Sequence, residues 1–509
     1  MRRFTASTAR MIAALAMVFA MVPGVAAADD GYFTSHAPML ALSDDVPQGA
    51  WLVPIVSSGE TVADTMFSGI PDGVGLRPGP GKNTVEAYVA HEETTVPFFG
   101  TADFVNASVT TWVLDTSGPN RGAVLDSGVA LSSDNGYLRF CSASMAGPAE
   151  GFDDYVFFTG EEANDIVSIE PGQPFEADPA IDPMRQAGFA VAINTDTGEF
   201  DHIDGMGRLN HENTIAVPGY DEVVLLTTDD TFDGPSAQLY LYRADDQDAV
   251  FDDTGSLWAF QVTATDDGPV DPADPFNDAN DYLDIRPGDD WQGRFIPVPD
   301  EIADGDTGVA PQAALENWSN ENNVFQFIRL EDAAVDKNDS NVVYVADTGR
   351  SRVVPSTETG RLVRGPGGTV GLADNGAVFR FELDDTDPTK VVSFSMIAQG
   401  DDPNAGAYVP FVSPDNMDTS KKSLMVQEDA DDARIWMHDF SKGDWTVVAQ
   451  VADTDSESSG IVDASHWFGQ GTWLLTVQGH GTFVDQEVIN GVTYKLESGQ
   501  LLLMKIPSS

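Results

Sequence analysis

Cys141 is the only cysteine among 509 residues, and its segment "YLRFCSASMAGP" lies about twenty residues ahead of the paired acids Glu161 and Glu162 in "FFTGEE". A thiol with no partner in its own chain is available for intermolecular pairing, for reaction or for a metal. Acids then recur in short clusters: "HEN" at His211–Asn213, the pair Asp229 and Asp230, "RLED" at Arg329–Asp332 and "QED" at Gln427–Asp429. A thiolate gathered with several carboxylates would suit a site holding a softer transition metal beside a harder, oxygen-preferring cation. The competing reading makes Cys141 a small buried apolar residue, as most free cysteines are.

Each cluster has its own local chemistry. "GRLNHENTIAV" followed by "VVLLTTDD" reads as strand, turn and strand, with Glu212 at one end and Asp229 or Asp230 at the other. In "FQFIRLEDAAVD", Arg329 and Glu331 stand two apart on a predicted strand and so face the same side. An arginine fork beside a metal-binding carboxylate is what phosphate recognition needs; a structural Arg–Glu pair is the alternative. "SPDNMD" and "SLMVQEDADDARIW" contribute Asp415, Asn416, Glu428 and Asp429, a mixture of carboxylates and an amide that suits calcium. The "DADD" run by itself reads as a solvated turn. Glu457 and His480 fall near two chain reversals, and His480 reads as structural. No serine elbow, phosphate-cradling glycine loop or paired-cysteine zinc motif is present.

The elements that must position these residues are strands. Apolar runs are short, rich in Val, Phe, Tyr, Trp and Thr, and broken by Gly, Pro, Asn and Asp: "EVVLLTTDD", "QLYLYRA", "NVVYVAD", "AVFRFEL", "ARIWMHDF", "LLLMKI". Short strands with regular turn signals imply a sandwich, barrel or propeller. The length and a degenerate recurring unit, a strand running into an acidic turn, favour an all-β propeller. Residues 265–310 read as a Pro/Asp/Gly-rich surface insertion with a short helix in "DPFNDANDYL". Residues 29–90 read as an N-terminal extension packed on the propeller. No linker divides residues 29–509, which are expected to form one domain and a monomer.

Composition narrows the partners. Asp and Glu outnumber Lys and Arg by 82 to 26, a formal charge of −56. This argues against nucleic acid or an anionic membrane as partners, which need clustered Lys and Arg, and favours attraction of divalent cations. A hydrophobic content of 42% argues against disorder. Residues 1–28 have the charged start, apolar core and small-residue cleavage site (near Ala28) of an export signal, too short to span a membrane. The Sec and twin-arginine routes both stay open.

Taken in order, "RFCSASMAGP…FFTGEE", "GRLNHENTIAV…TTDD", "FIRLEDAAVD…VVYVADTG", "SPDNMD…LMVQED" and "ESSGIVD…LLTVQGHG" resemble the PhoX-type alkaline phosphatases over roughly residues 130–485. The chain departs from that pattern around Cys141, which lacks a Pro-Trp-Gly element, and at "TTDD". The resemblance implies a six-bladed propeller, with Fe3+ and Ca2+ in its axial channel, that hydrolyses phosphomonoesters. It implies Cys141 as the iron thiolate, and Glu161 or Glu162, Glu212, Glu331 and Asp229 or Asp230 as metal ligands. Arg329 would hold the substrate phosphate, and Asp415, Asn416, Glu428 and Asp429 would serve calcium. A calcium-only propeller hydrolase and a non-enzymatic calcium-stabilised binding propeller are the rival expectations.

Overall fold

The computed structural model describes residues 31–168, 184–232, 234–274, 276–305 and 310–507; the export signal lies outside them. The chain is all-β. Its strands fall into six consecutive four-stranded antiparallel meanders. Sheet one comprises Pro71–Pro78, Thr84–His91, Ser108–Asp115 and Val124–Leu131. Sheet two comprises Phe140–Ala146, Val156–Glu161, Ala190–Asn194 and Phe200–Ile203, and sheet three His211–Ala216, Val223–Asp229, Leu239–Ala244 and Ser256–Thr265. Sheet four follows with Leu330–Asp336, Asp339–Asp347, Ala377–Asp384 and Asp387–Gln399, and sheet five with Pro414–Thr419, Ser423–Glu428, Arg434–Asp439 and Asp444–Val451. Sheet six takes three strands from the C-terminal end, Glu457–Asp463, Thr472–Ile489 and Val492–Lys505, and its fourth, Trp51–Ser57, from the N-terminal end. The first strand of each sheet packs on the first strand of the next, and the sixth packs on the first. The result is a propeller-like ring.

The continuous apolar runs follow from this arrangement. A strand covered on both faces reads as unbroken hydrophobic sequence rather than as an alternation. In sheet three, Val223 and Leu225 point into the core shared with sheet two, while Val224 and Leu226 point into the core shared with sheet four. In sheet six, Leu501 and Leu503 face sheet one, and Leu502 and Met504 face sheet five. An apolar cluster of this kind fills the gap between every pair of neighbouring sheets.

Three expectations need correction. Residues 29–90 are not simply an extension: Leu40–Leu42 adds a fifth strand to sheet five, Trp51–Ser57 completes sheet six, and residues 71–91 begin sheet one. The insertion at 265–310 contains a strand, Trp291–Pro297, that pairs with Ser256–Thr265 on one side and Asp387–Gln399 on the other, joining sheets three and four. The expected helix in "DPFNDANDYL" is a series of turns. Asp274, Asn277 and Asp281 each accept a backbone N–H two residues on, an alternative that competes with helix formation.

Candidate metal centre

The innermost strands share one irregularity. In every sheet the pairing of the first strand with the second shifts at the same place, so that three steps on the inner strand match two on its partner: Pro71/Val74, Phe140/Ala143, His211/Thr214, Leu330/Ala333, Pro414/Met417 and Ser459/Val462. Such bulges re-aim side chains and are common beside functional sites. The first bulged residue in each is Asp72, Cys141, Glu212, Glu331, Asp415 and Gly460. Five of the six are cation ligands by type. The sixth must be glycine, because φ is +54° and a Cβ there would come within 2.1 Å of the Asp72 carbonyl oxygen.

A second tier comes from the residue just past the end of the second strand. Its N–H donates to the residue preceding the bulged strand: Glu92 to Ile70 at 2.9 Å, Glu162 to Arg139 at 3.0 Å, Asp230 to Asn210 at 3.0 Å, Thr348 to Arg329 at 2.9 Å and Asp429 to Ser413 at 2.9 Å. The two tiers converge. Four groupings have ligand atoms within 4.8 Å of one another: Asp72–Glu92–Cys141, Cys141–Glu162–Glu212, Glu162–Asp230–Glu331 and Glu212–Glu331–Asp415. They share members and form one continuous chain of donors. Asp429 borders this chain beside Glu457 and His480, and His480 lies 2.7 Å from Glu497 and 3.5 Å from Glu457.

These acids are poorly compensated. Glu212 is 0% exposed, and neither of its oxygens has a hydrogen-bond partner among the described residues. One oxygen of Asp72 (2% exposed) is in the same position; the other accepts from Gln478 Nε2 at 2.6 Å and from the Cys141 thiol at 3.4 Å. Glu331 Oε1 lies 3.4 Å from Arg329 Nη2 without hydrogen-bond geometry. Burial first, and neighbouring carboxylates second, push Asp72, Glu162, Glu212, Glu331 and Asp415 well above the usual carboxylate range. Burial and Asp72 likewise push the Cys141 thiol up. Buried polar atoms are normally paired, and unpaired oxygens on Asp72, Glu212 and Glu331 beside a thiol are donors that could hold a cation.

The residues expected from sequence divide cleanly. Cys141, Glu212, Glu331 and Asp415 join the cluster, and of the two acidic pairs the second members, Glu162 and Asp230, do so. The first members do not, because they anchor loops. Glu161 pairs with Arg185 at 3.0 Å and accepts the N–H groups of Leu138 and Gly188. Asp229 accepts from Thr231 Oγ1 at 2.9 Å. Glu428 is saturated by Arg434, Trp436 Nε1 and the Val412 N–H.

Asn416 is likewise not a cluster member. Its Nδ2 reaches Ser142 Oγ at 3.4 Å and its Oδ1 accepts from Gly460 N at 3.1 Å. With the Asn213–Asp332 hydrogen bond and the Met417 N–H on Asp332, it forms a buried polar belt across the axis. Beyond that belt the other end of the axis opens into a separate cavity of about 680 Å³, lined by Leu76, Met145, Ile215, Lys337 and Trp467.

Arg329 lies just before its strand, and the bulge rather than strict alternation brings it to Glu331. Its Nε donates to Asp230 at 2.6 Å and its Nη2 also contacts Asp230, so the guanidinium is fixed edge-on. Asp72 and Glu92 were missed from sequence. The signal was present in the repeated frame Pro-Asp-Gly-Val, Phe-Cys-Ser-Ala, His-Glu-Asn-Thr, Leu-Glu-Asp-Ala and Pro-Asp-Asn-Met, which places Asp72 in register with Cys141, Glu212, Glu331 and Asp415.

The chain matches no protein-family model and no curated protein. Among solved structures it is similar to the PQQ-bound form of an aldose sugar dehydrogenase from Streptomyces coelicolor, at 11% identity over 90% of this chain and 99% of that one, TM-score 0.34. It is also similar to a glycosyl hydrolase from Bacteroides ovatus (8% identity, 76% and 86% covered, TM-score 0.31) and to a Trypanosoma rangeli sialidase (8%, 92% and 60%, TM-score 0.34). At these scores none of the three assigns an activity. Among the described residues no helix is long and apolar enough to cross a membrane.

Proposed function

We propose that the chain is an exported, metal-dependent phosphomonoesterase on a six-bladed β-propeller. Six meanders, six inter-sheet cores and a closed ring of inner strands support the blade count. The observation that carries the activity is the linked chain of carboxylates, with unpartnered oxygens on Asp72, Glu212 and Glu331 and a fixed arginine at its edge.

The donor set fits the ions that the resemblance implies. Asp72, Glu92 and Cys141 would hold the iron, because a thiolate suits the softer ion. Glu162, Asp230, Glu212, Glu331 and Asp415 would hold calcium through hard oxygens. When bound, such ions supply Lewis acidity toward a phosphoryl oxygen and toward water.

The chain's own groups do the remaining work. Arg329 presents the N–H groups not used by Asp230 to two phosphate oxygens, and Asp230 fixes the angle of the fork. Glu212 and Glu331 act as ligands, leaving little basicity for proton transfer. Low exposure around the cluster strengthens each charge interaction by keeping bulk water out. The test is elemental analysis of the purified protein, together with phosphomonoester hydrolysis by wild type and R329A. Stoichiometric iron and calcium, with a loss of about 100-fold or more in kcat/KM for R329A, are expected. A metal-free protein without turnover would refute the reading.

A further inference from the structure

We infer that Thr348 is a further substrate-contacting residue, its hydroxyl taking the same oxyanion as Arg329; the inference rests on the phosphomonoesterase reading above. Thr348 occupies the backbone position that Glu92, Glu162, Asp230 and Asp429 occupy in the other sheets, with the same N–H hydrogen bond to the residue before the bulge. Those four side chains reach or border the acidic cluster. Thr348 is 1% exposed, and its Oγ1 has no hydrogen-bond partner among the described residues. A buried hydroxyl left unpaired opposes folding, and valine would fill the same space without that cost.

The neighbourhood says what the hydroxyl is for. Around the two tiers an incoming oxyanion meets mostly carboxylates, which repel it, and His480 at the edge is already held by Glu457 and Glu497. Sheet four alone has a neutral donor in the second tier and an arginine at the residue to which that donor's N–H is bonded. Sheet two also has an arginine there, Arg139, but its guanidinium is held by Asp165 and its second-tier residue is Glu162. The sheet-four sector is also held firmly, because Asp347 accepts from the N–H groups of Ile328 (2.8 Å), Gly349 (2.9 Å) and Arg329 (3.3 Å). A fixed arginine and a buried, unpaired hydroxyl on the residue bonded to its carbonyl put two donors in one sector of a largely acidic ring.

The experiment is calorimetric binding of inorganic phosphate to the metal-loaded wild type, T348V and T348S, with thermal unfolding of each in calcium and in chelator. T348V is expected to weaken phosphate about tenfold or more and to unfold at or above the wild-type temperature, since no protein hydrogen bond is lost, and T348S to stay within about threefold while unfolding slightly lower for its lost methyl. Unchanged phosphate affinity in T348V, in a wild type that hydrolyses phosphomonoesters, would overturn this inference alone. So would a T348V protein that loses calcium stabilisation but keeps phosphate affinity, which would make the hydroxyl a cation ligand. A wild type that neither binds phosphate nor hydrolyses esters would remove the phosphatase reading and this inference with it.

Discussion

Replacing Glu212 by glutamine should change the sign of its effect on stability when calcium is added. In chelator, burial and then Glu331 and Asp72 push this carboxyl well above the usual carboxylate range, so the folded chain keeps its proton to higher pH than the unfolded chain, which releases it near pH 4.3. A carboxyl raised in the folded state contributes stability below its unfolded value and loses it as pH rises. At pH 7 the loss is at most about 3.5 kcal/mol, at about 1.4 kcal/mol per pH unit. Glutamine keeps the shape without a titrating proton. With an unfolding entropy of about 1 kcal/mol/K for a chain of this length, E212Q should melt up to about 3 °C above wild type in chelator. Calcium reverses the order. Glu212 belongs to two of the four donor groupings, and a site at a thousandfold excess of ligand over Kd contributes about 4 kcal/mol. Wild type should therefore gain about 4–8 °C that E212Q does not. Scanning calorimetry at pH 7 and pH 5 reads both effects, and the chelator advantage should shrink at pH 5. A variant that melts below wild type in chelator, or keeps the full calcium gain, would refute the reasoning.

The acidic pair of sheet two gives a sharper contrast, since E161A should cost about 3–5 kcal/mol by stranding Arg185 while leaving the calcium response intact. E162Q should do the reverse, and calorimetry with and without calcium separates them. For Asp103, burial pushes the carboxyl up to about 7 against an ordinary value of 3.8, and its Oδ1 is unpartnered. Wild type should therefore lose about 3 kcal/mol between pH 5 and pH 8 that D103N does not lose, read as a flatter melting profile. C141S should bind calcium normally by titration but purify without iron by elemental analysis; retained iron would assign the metal to oxygen ligands alone.

Much of this was legible in the sequence, for identifiable reasons. Strand runs such as "VVLLTT" and "LLLM" have lengths and compositions that only a doubly covered sheet explains. Cys141 stood out as the only cysteine, and Glu212 and Glu331 as members of short polar clusters, "HEN" and "RLED". The choice within Glu161–Glu162, Asp229–Asp230 and Glu428–Asp429 was not legible. Strand alternation puts adjacent residues on opposite faces, but which face looks to the axis depends on where the ladder ends. The ladder ends between them, so the first member turns back to hold a loop and the second turns inward. Asp72 was hidden because its frame, Pro-Asp-Gly-Val, also reads as a turn, and only comparison with the other five inner strands distinguishes a bulge. The helix expected at 274–283 failed because three Asx side chains capture the backbone N–H groups first.

The completion of sheet six by Trp51–Ser57 against Gln500–Lys505 has a consequence in time. Five sheets form from neighbouring segments and can assemble in the order the chain is made. The sixth cannot, because its outer strand is made near the beginning and its partner about 450 residues later. Until that partner exists, the apolar faces of Trp51–Ser57 and of sheet one have nothing to cover them. Sheet one must also wait with Asp72 and Glu92 in place before Gly460 can close over the Asp72 carbonyl. The donors from Asp72 to Asp415 all lie on sheets one to five, so a chain halted before its last strands would carry every one of them yet leave the ring open on the Asp72 side.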